Sequence, residues 1–272
     1  MVNSINANSG LGIQQLSKNL SSLNKTQNRI TTGLKVNGPK DNAAIFAIAQ
    51  NLLGDSAGAA AVKTTLYSAE SVVGTAIAGG QVVGDLLTQI KGKVVQGNNP
   101  ALDQAGRDAI NAEVQQLVDQ VNTVTSSSAF GGTNLIENGA SDFSVLNSEN
   151  GDTFNVGAQD FSAQGLGIDN ISVATAGDAA TALSAVNNAI TQASSRLANL
   201  GSSSQRISDQ AEFTTRLDDV LQAGIGNLID ADLGAEAADR AAGSVKAALG
   251  ALPLAIANAG PKALLSLFPG GS

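Results

Sequence analysis

The sequence predicts a mainly α protein: a long antiparallel helical bundle or coiled-coil rod, with a small β-hairpin region in the middle of the chain. Three observations carry that prediction. Apolar residues recur at alternating steps of three and four in both halves of the 272-residue chain, the spacing of a coiled-coil seam. Between Leu135 and Val173 that period disappears and short stretches alternate by two instead. Gly- and Pro-containing stops separate the periodic segments at residues 33–41 and 97–100.

The first segment places Ile13, Leu16, Leu20, Leu23, Gln27, Ile30 and Leu34 on one seam, flanked mostly by Ser, Asn, Thr and Lys. Those flanking residues are poor helix formers, so the segment needs a partner to stay helical. Gly33, Gly38, Pro39 and Asp41 then end one helix and begin another. Gly admits backbone angles that other residues resist, Pro disfavours helix in the residue before it, and Asp41 is placed to cap the next helix. Ala43 to Leu53 reads as a buried helix, and Gly54 and Gly58 leave the course of the turns that follow open.

The heptad returns with Leu66, Ala69, Val73, Ala76, Gly80, Val83, Leu87, Ile90 and Val94, whose small members permit close helix approach. Gly97-Asn98-Asn99-Pro100 is a stop, and a helix with Ile110, Val114, Leu117, Val121 and Val124 on one face returns antiparallel. Thr125 to Gly132 reads as a Ser/Gly-rich link. Phe143, Val145, Phe154 and Val156 form the arms of a hairpin around Asn147 to Asp152. Helix resumes near Asp178, expected as its N-cap, and Leu183, Val186, Ile190, Ala193, Leu197, Leu200, Ser204 and Ile207 keep heptad spacing. Val245, Leu249, Leu252 and Ile256 mark a last stripe. The chain thus divides into an N-terminal helix over 1–40 that pairs with the C-terminal segment, a rod over 41–230 with the hairpin region near 135–175, and a C-terminal helix over 231–272.

Composition narrows the function. There is no Cys and no His, which removes disulfides, thiolate chemistry, the commonest metal ligand and the usual acid–base group. No catalytic, cofactor-binding or metal site is expected. Asp230 and Asp232 alone make a poor cation site. The few bases at the two ends have no aromatic partners, so nucleic-acid binding is not expected. Neither a cleavable secretion signal nor a run of about 20 apolar residues is evident, so export by a route without a cleaved signal and no membrane insertion are expected.

Three stretches resemble one family. ITTGLKVNGPKDNAAIFAIAQ at 30–50 is similar to the N-terminal signature of bacterial flagellins, AFGGTNLIENG at 129–139 to the element where their rod meets its hairpin, and IANAGPKALLSLF at 256–268 to their closing sequence. The resemblance implies a short flagellin: a secreted, extracellular subunit that polymerises into the flagellar filament, alone or with other flagellins. Its partners would be its own copies, the export apparatus, an export chaperone and the filament cap. The terminal helices would line an inner tube and order on assembly. The implied polymer interface is Leu16, Leu20, Leu23 and Ile30 at one end, with Leu249, Leu252, Ile256, Leu264, Leu265, Leu267 and Phe268 at the other. Ordinary packing within the chain is the competing role for each. Gly33, Gly38, Pro39 and Asp41 become the joint between inner-tube helix and outer bundle.

Residues 88–99 align with the segment that a flagellin-sensing Toll-like receptor reads. Lys91 stands for the usual Arg and Glu113 matches an acidic position, while Gly92 and Lys93 replace Glu and Leu, so weak or absent recognition is expected. Arg240, Gly243, Gly250 and Pro253 depart from the family pattern in the final helix. Either that helix kinks near Leu249, or packing in a polymer overrides the local cost, or the stretch differs from the natural sequence. The alternatives are a hook–filament junction protein of the same superfamily and a monomeric helical signalling or adhesion rod.

Overall fold

A computed structural model describes the backbone of residues 2–265, with side chains described over 10–252 and at 255. Its elements run α1 (Val2–Thr32), α2 (Ala43–Gly97), α3 (Gln104–Ser127), β1 (Ala129–Phe130), β2 (Thr133–Asn134), β3 (Phe143–Leu146), β4 (Thr153–Val156), α4 (Ala176–Ile229) and α5 (Leu233–Leu265). Mainly helical structure with a small central β region is therefore what the chain adopts. Two compact units divide it: Asp55–Asp219, and Met1–Gly54 together with Val220–Ser272.

The unit over Asp55–Asp219 holds a closed core. All nine seam positions of α2 from Leu66 to Val94 are buried, in the heptad register the sequence predicts. Val114, Val118 and Val121 of α3 and Val186, Ala193, Leu200 and Ile207 of α4 complete it. The helical surfaces meet where side chains are missing. A Cβ on Gly79 would overlap Ser128 Oγ and lie 2.8 Å from Ile136 Cδ1, and one on Gly80 would lie 2.9 Å from Leu197 Cδ2. Glycine is required there by space, not by backbone angle.

β3 and β4 pair antiparallel from Phe143↔Val156 to Leu146↔Thr153, the predicted hairpin, and bury Val145, Phe154 and Val156. Arg206 of α4 lies over the Phe154 ring at 4.1 Å from its centroid. Gln210 donates to the Asn147 carbonyl at 2.9 Å. A Cβ on Gly58 of α2 would meet Glu149 Cβ at 2.9 Å, so this glycine seats the hairpin turn. A second, smaller antiparallel pair, β1 with β2, spans 129–134 at the end of the link, and its reversal uses Gly131 and Gly132 at positive φ. From Ala158 to Val173 the chain is irregular yet buries Phe161, Leu166, Ile168 and Val173. Its backbone is satisfied by α3 side chains: Asn122 accepts from Ala163 N–H, Asn111 accepts from Val173 N–H, and Gln115 donates to the Ile171 carbonyl.

Several local expectations are corrected. The turns left open at Gly54 and Gly58 are helical, so α2 is one 55-residue helix. Over Ala43–Leu53 only Ala49 is buried, so this stretch is not a core helix in the free chain. Against the expectation of no such run, one 18-residue window of α2 has a mean hydropathy of 1.2 with 17% of it buried, enough by length and composition to cross a membrane. The N-cap of α4 is Thr175, which accepts from Asp178 N–H at 3.1 Å while Asp178 accepts from Thr175 N–H, a reciprocal box in place of an Asp178 cap. α5 continues from Leu233 to Leu265 as one helix that includes Pro253.

Candidate functional site: the paired terminal helices

Residues 1–54 and 220–272 build a site from two helices and two breaks. Among the helices, α1 and α5 bring their backbones into the most extensive close approach. The sequence makes this possible with small residues on α5 opposite large ones on α1. Leu23 Cδ1 lies 2.9 Å from where a Cβ of Gly243 would stand, and Leu16 Cδ1 lies 3.8 Å from that of Gly250. Gly243 and Gly250, read in isolation as weak points of a helix, are sockets for α1 leucines.

At the far end of this pair Arg29 Nη1 donates to Glu236 Oε1 at 2.8 Å. Glu236 is buried, and both its Oε2 and Arg29 Nε are buried with no hydrogen-bond partner. The pair thus makes a single hydrogen bond where a bidentate one was available. One turn beyond it, the two helix breaks are clasped through their backbones. Gly33 takes a φ of +72°, which ends α1, and its N–H donates to Arg29 O at 2.8 Å. Leu34 bridges Asp230 antiparallel. Lys35 and Val36 N–H both donate to Ile229 O, at 2.6 and 3.2 Å, and Ala231 N–H donates to Gly33 O at 2.9 Å.

Asp41 does not cap α2. Its Oδ2 accepts from Asn37 N–H at 3.1 Å, closing the turn that contains Gly38 and Pro39, and Asn42 Oδ1 caps the helix by accepting from Ile45 N–H at 3.1 Å. Gly38 is in the ordinary half of backbone space, with its carbonyl accepting from Asp41 N–H. Asp232 caps α5, accepting from Gly234 and Ala235 N–H. It serves the backbone, and no group of three or more potential metal ligands occurs among the described residues.

The predicted interface residues fall into two sets. Leu16, Leu23 and Ile30 are half-buried, and the first two face α5. Leu20 is 45% exposed, Leu249 59% and Leu252 56%, and Leu11, Ile13, Leu233 and Val245 join them on the exposed side. Ile256, Leu264 and Leu265 lie in α5, but their side chains fall outside the described residues, as do Leu267 and Phe268 altogether. Elsewhere, Lys91 is exposed, whereas Glu113 is ion-paired with Lys93 from α2.

Functional geometry that the sequence reading missed is polar and non-local. Arg107 is buried and donates to the carbonyls of Gly97 and Asn99, so it caps the C-terminal end of α2 with positive charge. Asp218 is buried and accepts from Ser56 Oγ at 2.6 Å, with Lys63 Nζ at 3.9 Å. Neither pairing has a sequence spacing that announces it.

Comparison with known proteins decides the family. The model described as the bacterial flagellin N-terminal helical region matches residues 4–141, and that of the flagellin C-terminal helical region matches 183–268. The chain belongs to the bacterial flagellin family. It is 36% identical to Flagellin FljO of Caulobacter vibrioides over 98% of this chain and 99% of that one. It is 30% identical to a flagellin of Brucella melitensis over 97% and 98% of the two chains. Among solved structures, this flagellin is similar in fold to that of Bacillus cereus, with a TM-score of 0.51 at 20% identity, covering 55% of this chain and 88% of that one. A putative flagellar hook-associated protein from Vibrio parahaemolyticus shares the fold with a TM-score of 0.58 at 11% identity, covering 70% and 100%.

Proposed function

We propose that this chain builds the flagellar filament through the exposed apolar face of its paired terminal helices. As a flagellin it is a structural subunit of the filament, and the family works by assembly, not by turnover. The observation that carries the reading is the row of large apolar side chains left in water on α1 and α5, among them Leu20, Leu249 and Leu252. Solvated leucines on long helices are a cost to a monomer and a contact surface in a polymer. In this reading Leu16 and Leu23 hold α1 to α5 within a subunit, and the exposed set meets neighbouring subunits. Ile256, Leu264, Leu265, Leu267 and Phe268 extend the same contact.

α1 has a narrow apolar stripe among Ser, Asn, Thr and Lys, so its helicity depends on burying that stripe. Ordering of the termini is thereby coupled to assembly. Export in an unfolded form, escorted by a chaperone and completed under a filament cap outside the cell, is the route that fits such termini. Recognition by the flagellin-sensing receptor is weak, because Glu113 is engaged by Lys93 and the Gly92-Lys93 positions change two contacts.

Electron microscopy of the purified chain after seeding tests the central claim. Long helical filaments are expected. A monodisperse monomer whose terminal amides already resist hydrogen exchange would overturn it in favour of a free-standing helical rod.

A further inference from the structure

The α1–α5 seam does not determine its own register. The two sockets, Gly243 and Gly250, are one heptad apart on α5, and the two leucines they receive, Leu23 and Leu16, are one heptad apart on α1. Sliding α5 by one heptad in one direction puts Leu23 opposite Gly250, Ile30 opposite Gly243 and Leu16 opposite Ala257. Every large residue still meets a small one, so apolar packing, which is non-directional, discriminates weakly between the two alignments. Sliding the other way drives Leu23 onto Glu236 and is excluded by sterics and charge.

The geometry points to the Arg29–Glu236 pair as the register-setting element of the terminal helices, acting together with the backbone clasp of residues 33–36 on 229–231. In the observed register the pair is closed at 2.8 Å. In the slipped one Arg29 stands opposite the Gly243-Ser244 step, and the nearest acids on α5, Asp239 and Glu236, are carried past the end of α1. In the observed register Glu236 has a side chain only 11% exposed and Arg29 Nη1 is its bonded partner, so parting the charges gives up that bond with no acid on α5 placed to replace it. A single polar contact in a repetitive apolar seam is a known way to choose one alignment among several. The register matters to a filament only on the reading above, because it fixes which α1 residues lie beside Leu249 and Leu252 on the outer face.

The chain has no cysteine, so introduced thiols report position without interference. Two full-length reporters share Gly250→Cys: Leu16→Cys marks the observed register and Leu23→Cys the slipped one. A thiol cross-linker shorter than the ~10 Å rise of one heptad separates them. Both are read as intramolecular products, in soluble and in sedimented fractions, so that register is scored whether or not filaments form. With Arg29 and Glu236 intact, the Leu16→Cys reporter closes and the Leu23→Cys reporter does not. Arg29→Glu sets two carboxylates together, and the slipped product should rise about tenfold. The exchange Arg29→Glu with Glu236→Arg should restore the original pattern. If Arg29→Glu leaves the observed register unchanged, or abolishes both products without creating the slipped one, the pair only adds stability and the inference is overturned.

Discussion

The two units bury the same kind of heptad seam in opposite ways. In Asp55–Asp219 the α2 seam is closed on all sides, by α3, α4 and an irregular segment threaded between them, and Leu66, Leu87 and Ile90 are fully buried. In the unit formed by the chain ends, α1 and α5 have chiefly each other. One stripe of each meets the partner, and Leu11, Ile13, Leu20, Val245, Leu249 and Leu252 stay in water. A helix pair cannot cover more than one stripe apiece, whereas a third and fourth layer can. The first unit is thus built to fold by itself and the second to be completed by something else.

The sharpest way to break that contrast is to truncate one leucine from each unit. Leu87→Ala should cost about 2–5 kcal/mol of unfolding free energy in chemical denaturation of the monomer. Leu249→Ala should change it by less than about 0.5 kcal/mol while lowering filament yield in a sedimentation assay. Equal losses of monomer stability would erase the distinction between the units.

Glycine substitutions sharpen it further. Gly79→Ala places a methyl against Ser128 and Ile136 and should destabilise by about 1–3 kcal/mol despite alanine's better helix propensity. Gly84 has nothing within 4 Å, so Gly84→Ala should stabilise by up to about 1 kcal/mol. Thermal melts of the two variants should move in opposite directions. In the terminal pair, Gly243→Leu meets Leu23 and should speed hydrogen exchange along α1 while leaving amides of α3 unchanged. Asn42→Ala should cost about 1 kcal/mol through the lost α2 cap. Asp41→Ala should spare the cap and loosen only the turn at Asn37, which exchange rates at residues 42–45 distinguish.

Much of this is legible in the sequence because it is local or periodic. The α2 seam from Leu66 to Val94, the hairpin of Phe143, Val145, Phe154 and Val156, and the stops at Gly33 and Gly97 each follow from spacing or from one residue's backbone preference. Caps are less legible. A carboxylate before an apolar run suits a helix start, which is why Asp41 and Asp178 read as caps. In both cases a neighbour, Asn42 or Thr175, holds the position and the Asp serves an adjoining bond.

By itself, then, the sequence determined most of the helical segments, the stops at Gly33 and Gly97, and the apolar stripe of the α2 seam, since these depend on propensity and period. Only the tertiary structure decided what each stripe faces. It turned Gly243 and Gly250 from helix faults into sockets for Leu23 and Leu16, and it divided the predicted interface into leucines that hold the subunit and leucines left over. It also joined Arg29 to Glu236 and Ser56 to Asp218 across most of the chain's length. A heptad records that a partner exists, but not which one, because burial of apolar surface carries no direction; hydrogen bonds, ion pairs and the absence of a Cβ supply it.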